Sequence, residues 1–430
     1  MTTRVLTGIT TSGTPHLGNY VGAVRPAIAS SRAPGAESFF FLADLHSLVK
    51  VQDAARVQRS TLEIAATWLA AGLDPDQVWF YRQSDIPETS ELNWFLTCVA
   101  GKGVLNRAHA YKAAVDRNRA DAQDDDAGIT AGLFMYPVLM AADILLFNAH
   151  KVPVGRDQVQ HIEMARDFAQ RFNHLFGGEH FVLPQAVVDE NVATLPGLDG
   201  RKMSKSYDNT IPLFAPRDEL RRLINGMVTD SRAPGEPKQA EGSNVFQLYR
   251  AFASDEETAR MRQAFAEGIG WGEAKQRLFE RIDAEIAPMR ERYQALVADP
   301  GKIETILKDG AERLRRTIAT PFLAQLRHAV GLRDLAWTQA AGKGPGAQAQ
   351  ANSPQFKQYR EKDGRFYFKL IDAQGRLLAQ SQGFDSPRQA GQLIAALRTD
   401  SAAVESSGLA LQVSADEVRA ALRRLREAEA

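Results

Sequence analysis

The stretch RVLTGITTSGTPHLGNYVGAVRPAIAS, residues 4–30, carries the first decision about the fold. RVLTGI reads as a short buried strand. A turn-rich loop with Gly13 and Pro15 follows, and HLGNYVGAVRPAIAS then reads as a helix. The loop contains neither G-x-G-x-x-G nor G-x-x-x-x-G-K-[ST], so it fits neither common phosphate-binding pattern. Working outward, SFFFLADLHSL (38–48) is a second apolar strand running into a polar loop, and DAARVQRSTLEIAATWLAAGL (53–73) is an amphipathic helix. QVWFYRQ (77–83) is a third strand. Strand–helix–strand–helix–strand predicts a parallel, doubly wound α/β sheet, which binds ligands beyond the carboxyl ends of its strands. The loop at residues 10–16 lies at such an end.

Composition sets the wider bounds. Over 430 residues, 52 lysines plus arginines balance 52 acidic residues, so global charge does not announce a nucleic-acid partner. At this length about two to four domains are expected. The single cysteine, Cys98, excludes an intramolecular disulfide and any multi-cysteine metal site; it points to a reducing compartment. In NWFLTCVAG it reads as a buried small apolar residue rather than a nucleophile. The most apolar window, GLFMYPVLMAADILLF, is too short for a membrane span and is interrupted by Pro137 and Asp143. No signal-peptide pattern opens the chain, and a cytoplasmic protein is expected.

Further along, residues 84–175 read as mostly helical, interrupted by an acidic loop, RADAQDDDAG (119–128). HFVLPQAVV (180–188) returns to strand character, and residues 216–335 read as helices. TQAAGKGPGAQAQANSP (338–354) has the composition of a flexible linker. Beyond it, alternating residues with turns near Gly364 and Gly375 predict a three-strand meander. A helix then opens with Ser386 as N-cap and Pro387 at its first position.

A second stretch, GRKMSKSYDN (200–209), puts Lys202 and Lys205 around Ser204 in a loop. Alone it reads as a solvated basic turn. Paired with HLGN (16–19), it is similar to the signatures of class I aminoacyl-tRNA synthetases: HLGN resembles the HIGH element, and KMSKS matches its partner letter for letter. The stretch YPVLMAADILLFNAHKVPVGRDQVQHIEMARDFAQRFN (136–173) resembles the tryptophan-specific members of that family. The resemblance covers about residues 4–215, and the helical region after it is compatible.

That resemblance implies activation of L-tryptophan by ATP, with Mg²⁺, and transfer to tRNA(Trp) by a cytoplasmic homodimer without membrane attachment. It implies a Rossmann-like catalytic domain (1–215) with a helical insertion (about 84–175) and an α-helical anticodon-binding region (216–337); composition and patterning add the linker (338–354) and a small accessory α+β domain (355–430). His16, Lys202 and Lys205 would be catalytic. The imidazole would donate to a phosphate oxygen, and the lysines would neutralise departing pyrophosphate. Thr10, Thr11, Ser12, Gly18, Asn19, Gly155, Arg156, Asp157, Val192, Met203, Ser204 and Ser206 would line the nucleotide. Asp143 would accept the indole N–H, a group that can only donate. Tyr136, Met140, Val152 and Val154 would wall the ring, Gln158 and Tyr136 would meet the substrate ammonium, His46 would lie near either, and Gly8 would also contact the substrate. No protein metal site is implied.

The chain departs from the family pattern at Thr10-Thr11, where a Gln-Pro pair is common, and at Tyr207, where an Asp-Pro-Asn continuation is usual. The loop 112–128 is long and has Lys112 as its only lysine. Arg221, Arg222, Arg313, Arg315 and Arg316 could form a phosphate-positioning face. The last 75 or so residues are similar to a small bacterial domain that also occurs alone as tandem copies. Three rivals stay open: a tyrosine-specific synthetase, a small nucleotidyltransferase, and a non-catalytic synthetase paralogue that binds RNA.

Overall fold

The structure is a computed structural model that describes residues 2–11, 13–188, 195–332, 354–361, 363–372, 375–405 and 407–429. They fall into two compact units, Met1–Leu332 and Arg333–Ala430.

The first unit is built on five strands: β1 (Thr3–Ile9), β2 (Ala36–Leu42), β3 (Trp79–Arg82), β4 (Lys151–Pro153) and β5 (Gln185–Val187). Their order is β3-β2-β1-β4-β5 and all pairs are parallel. The run Phe39–Leu42 explains why the sheet is covered on both faces. Alternate side chains leave a strand on opposite sides. Phe40 and Leu42 join a core with Ile9, Phe80 and the helices Ala54–Ala70 and Trp271–Ala298. Phe39 and Phe41 join another with Leu6, Tyr81, Val152 and the helices Pro87–Val99, Ala131–Leu145 and Val159–Phe176. Each such ring contributes roughly 1.5–3 kcal/mol by leaving water. The first core also takes in Phe246, Phe265, Leu278 and Ile303, so the helices after residue 216 share it with the sheet.

Chain order runs outward from β1 through β2 to β3, then returns to the other side of β1 as β4. Ligands of doubly wound sheets gather at such a reversal, here the crevice beyond Ile9 and Pro153.

Several expectations need correction. The expected helical insertion 84–175 contains β4, a three-residue strand (Lys151–Pro153) too short to show alternation. The expected strand at 180–188 shrinks to Gln185–Val187. Residues 112–120 lie on the helix His109–Ala120 rather than in a loop. The acidic turn after it is tied down by Arg119–Asp125 and by Tyr111 Oη donating to Asp126 (2.8 Å). Cys98 is exposed, one turn from Trp94, which is 63% exposed on the same helix.

The second unit is a four-stranded antiparallel sheet, β6 (Gln355–Arg360), β7 (Phe366–Ile371), β8 (Leu377–Gln380) and β9 (Ala410–Leu411). The expected meander supplies the first three strands; β9 has only two residues. Helices Pro387–Thr399 and Ala415–Glu429 cover the face carrying Phe368 and Leu370. Ser386 accepts from Gln389 N as the expected N-cap. Most of the expected linker, residues 338–353, lies outside the described residues.

Candidate active site

The helical run Leu17–Asn19, Tyr20–Val24 and Arg25–Ser31 starts from His16, which acts as its N-cap. His16 Nδ1 accepts from Asn19 N (3.3 Å), and Asn19 Oδ1 accepts from His16 N (3.1 Å). An imidazole that accepts at Nδ1 and stays neutral must carry its proton on Nε2. Burial, reinforced by the nearby Lys205 charge, pushes the His16 pKa down to about 4, so it is neutral at neutral pH. His16 is therefore a neutral Nε2–H donor. The helix N-terminus offers fewer amides than its sequence suggests. Asn19 N is taken by His16, and Leu17 N donates to Ile211 O (3.0 Å).

That last bond is one of several stitches to the lysine loop. Leu213 N donates to Pro15 O (3.0 Å), and His16 pairs with Pro212 in a short antiparallel bridge. A Cβ on Gly18 would lie 3.0 Å from the His16 ring and 3.6 Å from Met203 Sδ. Gly18 thus makes room for its own cap histidine and for KMSKS. Gly13, at φ +76°, is overlain by Lys205: a Cβ there would stand 3.1 Å from Nζ. Burial lowers the Lys205 pKa, opposed by the nearby Glu63 carboxylate and helped by Arg56.

The loop is shaped by Asn209, which the sequence reading did not single out. Its Oδ1 accepts from Ser204 N (2.8 Å), and its Nδ2 donates to Asp199 Oδ1 (2.7 Å) and Lys202 O (3.1 Å). Ser204 Oγ and Ser206 Oγ are 2.8 Å apart, Met203 is buried, and Lys202 is exposed. Tyr207 lies under the Arg201 guanidinium, 4.4 Å from the ring centre.

On the other side of the crevice a buried polar network surrounds Asp143. His46 Nε2 lies 2.8 Å from Asp143 Oδ2, and Gln83 Nε2 donates to both carboxylate oxygens at 2.9 Å. Gln83 Oε1 is fixed in turn by Leu45 N (3.1 Å) and His46 N (3.4 Å), which decides which end of the amide faces the carboxylate. Asp143 is 3% exposed, and burial raises its pKa against the hydrogen bonds of His46 and Gln83. Gln83 was missed by sequence reasoning. Its one signal was position, immediately after β3 at the carboxyl edge of the sheet.

Tyr136 stands edge-on to His46, with ring centres 6.5 Å apart. Its hydroxyl lies 2.5 Å from Nε2 of His161, a third residue that sequence reasoning missed, 2% exposed. Val152 is buried; Met140 and Val154 are half-buried around the same core. Beyond β4, Asp157 folds back over Gly155, where a Cβ would come within 2.7 Å of Oδ1, and Gln158 Nε2 donates to Asp157 Oδ2 (2.8 Å). Arg156 opens the short turn Arg156–Gln158. Gly8 gives its space to Phe41 of β2, whose Cζ would be 2.9 Å from a Cβ. Thr10 is exposed, while the Thr11 hydroxyl is bonded to Ser47 Oγ (2.5 Å) and belongs to the wall. Ser12 and Val192 lie outside the described residues.

Of the five arginines expected to form a phosphate-positioning face, three have partners within the chain. Arg313 donates to Pro75 O and Val78 O (3.1 and 3.0 Å), Arg315 binds Glu88, and Arg221 stacks on Phe279 (4.6 Å). Arg222 and Arg316 are exposed.

Against known proteins, a family model described as tRNA synthetases class I (W and Y) matches residues 1–286. A tryptophan–tRNA ligase of Xanthomonas axonopodis pv. citri is 70% identical over 430 residues, covering 100% of this chain and 99% of that protein. Another, from Pseudomonas aeruginosa, is 63% identical over 393 residues, 91% of this chain and 87% of the relative. A solved tryptophanyl-tRNA synthetase from Campylobacter jejuni, in complex with ADP and tryptophan, is 39% identical with a TM-score of 0.70. It covers 76% of this chain and 99% of its own.

Proposed function

This chain belongs to the class I tRNA synthetases of the tryptophan and tyrosine family, its activity is that of a tryptophan–tRNA ligase, and from that premise we propose how its residues divide the work. The observation that carries the proposal is the meeting of the two signature loops: Lys205 over Gly13, and Met203 beside Gly18 and His16.

In the first step a carboxylate oxygen of tryptophan attacks the α-phosphorus of ATP. The bond to the β-phosphate breaks and pyrophosphate leaves. Positioning and charge stabilisation dominate such chemistry. His16 donates Nε2–H to a phosphate oxygen. Being neutral, it supplies a hydrogen bond without adding a charge to repel Lys205. Lys202 and Lys205 neutralise the leaving pyrophosphate. ATP brings Mg²⁺ with it as part of the nucleotide substrate; among the described residues no three His, Cys, Asp or Glu side chains group to hold a metal. Gly155 and Asp157, beyond β4, take the ribose, with Asp157 accepting from a hydroxyl.

The indole N–H goes to Asp143. Oδ2 is taken by His46 and Gln83, while Oδ1 accepts only from Gln83 and keeps a lone pair for the indole. Met140, Val152 and Val154 wall the ring, with Gly8 at the rim, and Tyr136 and Gln158 take the ammonium. The adenylate then passes tryptophan to tRNA, with the helices after residue 216 as the RNA-facing region. We assign the working form as a homodimer. The exposed Trp94 and Cys98, on one face of Pro87–Val99, are the kind of surface a second copy would cover. No described helix is long and apolar enough to cross a membrane.

Amino-acid-dependent ATP–pyrophosphate exchange tests the reading. Exchange should be faster with tryptophan than with tyrosine; faster exchange with tyrosine would reverse the pocket assignment.

A further inference from the structure

We infer that His161 is a positioning residue that turns the Tyr136 hydroxyl into an acceptor for the substrate ammonium, an inference that rests on the assignment of Tyr136 to that group. An ammonium only donates hydrogen bonds, so any hydroxyl that binds it must offer a lone pair. A phenol offers its lone pair freely when its own proton is committed elsewhere. Burial raises the Tyr136 pKa, so it keeps that proton. His161 Nε2 lies 2.5 Å from the hydroxyl and can receive it.

His161 suits this task. It is 2% exposed on the helix Val159–Phe176, and its ring centre lies 5.1 Å from that of Tyr136. Its other nitrogen, Nδ1, is buried and has no hydrogen-bond partner among the described residues. Buried polar atoms in folded proteins are usually paired. Here no second partner pins the tautomer, so the ring is free to take either one, and a bound ammonium, which needs the tyrosine oxygen as an acceptor, selects the one with its proton on Nδ1. With the proton on Nδ1, Nε2 accepts from tyrosine and the tyrosine oxygen faces the ligand as an acceptor. A charged imidazolium would donate from Nε2 and take up that oxygen. The titratable groups facing His161 are Tyr136, His109, Asp157 and His46, and burial lowers its pKa, which keeps it neutral at neutral pH. The acceptor geometry is therefore present above the His161 pKa and lost as pH falls through it.

The test compares equilibrium binding of L-tryptophan with that of indole-3-propionate, which lacks the amine, in the full-length chain. The unmodified protein should prefer tryptophan. His161→Leu should shrink that preference at least about tenfold, the scale of one hydrogen bond to a charged group. Its affinity for indole-3-propionate should be retained, which also reports correct folding. His161→Gln, whose amide oxygen can accept from Tyr136, should recover most of the preference and remove its loss on acidification. Equal weakening of both ligands in His161→Leu would mean that the ring merely packs the site, and the inference falls. Tyr136→Phe separates the two claims. If it keeps the full preference, Tyr136 does not hold the ammonium, and both fall. If it loses the preference while His161→Leu keeps it, only the His161 inference falls.

Discussion

His16 uses its two ring nitrogens for different tasks: Nδ1 caps a helix and Nε2 is left to donate. The division follows from neutrality, and neutrality follows from burial beside Lys205. The consequence for stability has a definite sign. The ordinary histidine value of 6.5 is depressed to about 4 on folding. Between those values the unfolded chain holds a proton that the folded chain lacks, so stability falls as pH falls through that window. His16→Asn keeps a good N-cap acceptor and should flatten that part of the slope in urea midpoints measured against pH. It should also lower the turnover of exchange by roughly 10²–10³, as losing one transition-state donor does. Identical pH slopes in variant and parent would show that His16 is not the titrating group. At this scale the sequence displayed His16, Lys205 and Asp143 because they sit in recognisable strings. Gln83, His161 and Asn209 were not legible in the same way. Each works through a contact with a residue distant in the chain or hidden inside a loop, and no local periodicity marks such a partner.

Elements were legible where they were long or strongly patterned. The helices Asp255–Ala266 and Trp271–Ala298, and strand β2, follow from their sequence patterns and flanking signals. Strand β4 was not, since three residues carry no alternation and its extended form depends on pairing with β1 and β5. One close approach explains how the later helices grip the sheet. The helix Pro300–Leu314 lies so near β3 that a Cβ on Gly310 would stand 2.0 Å from Phe80 O, and Arg313 donates to two carbonyls just before that strand. Gly310→Ala should therefore destabilise the chain by about 1–3 kcal/mol or more, seen as a lower urea midpoint at an unchanged slope. A midpoint equal to the parent's would show that the helix can shift away from β3 at little cost.

For the whole molecule, every described residue of the proposed site lies in Met1–Leu332. The solved Campylobacter relative is almost fully covered by 76% of this chain, about the extent of that unit. A chain ending at Leu332 should keep tryptophan-dependent exchange within about twofold of the full-length rate, since differences of that size fall below the energy of a single hydrogen bond. Loss of exchange would give the C-terminal sheet a part in activation. The same scale holds the central claim, that HLGN and KMSKS, far apart in the chain, form one ATP site through the bonds between residues 15–17 and 211–213. The most direct measurement is pyrophosphate exchange by Lys205→Ala, with tryptophan affinity measured on the same protein. Adenylate formation should fall at least about tenfold, one lost charge-assisted contact at the reacting phosphates, while tryptophan binding stays near normal. Unchanged exchange kinetics would contradict the account.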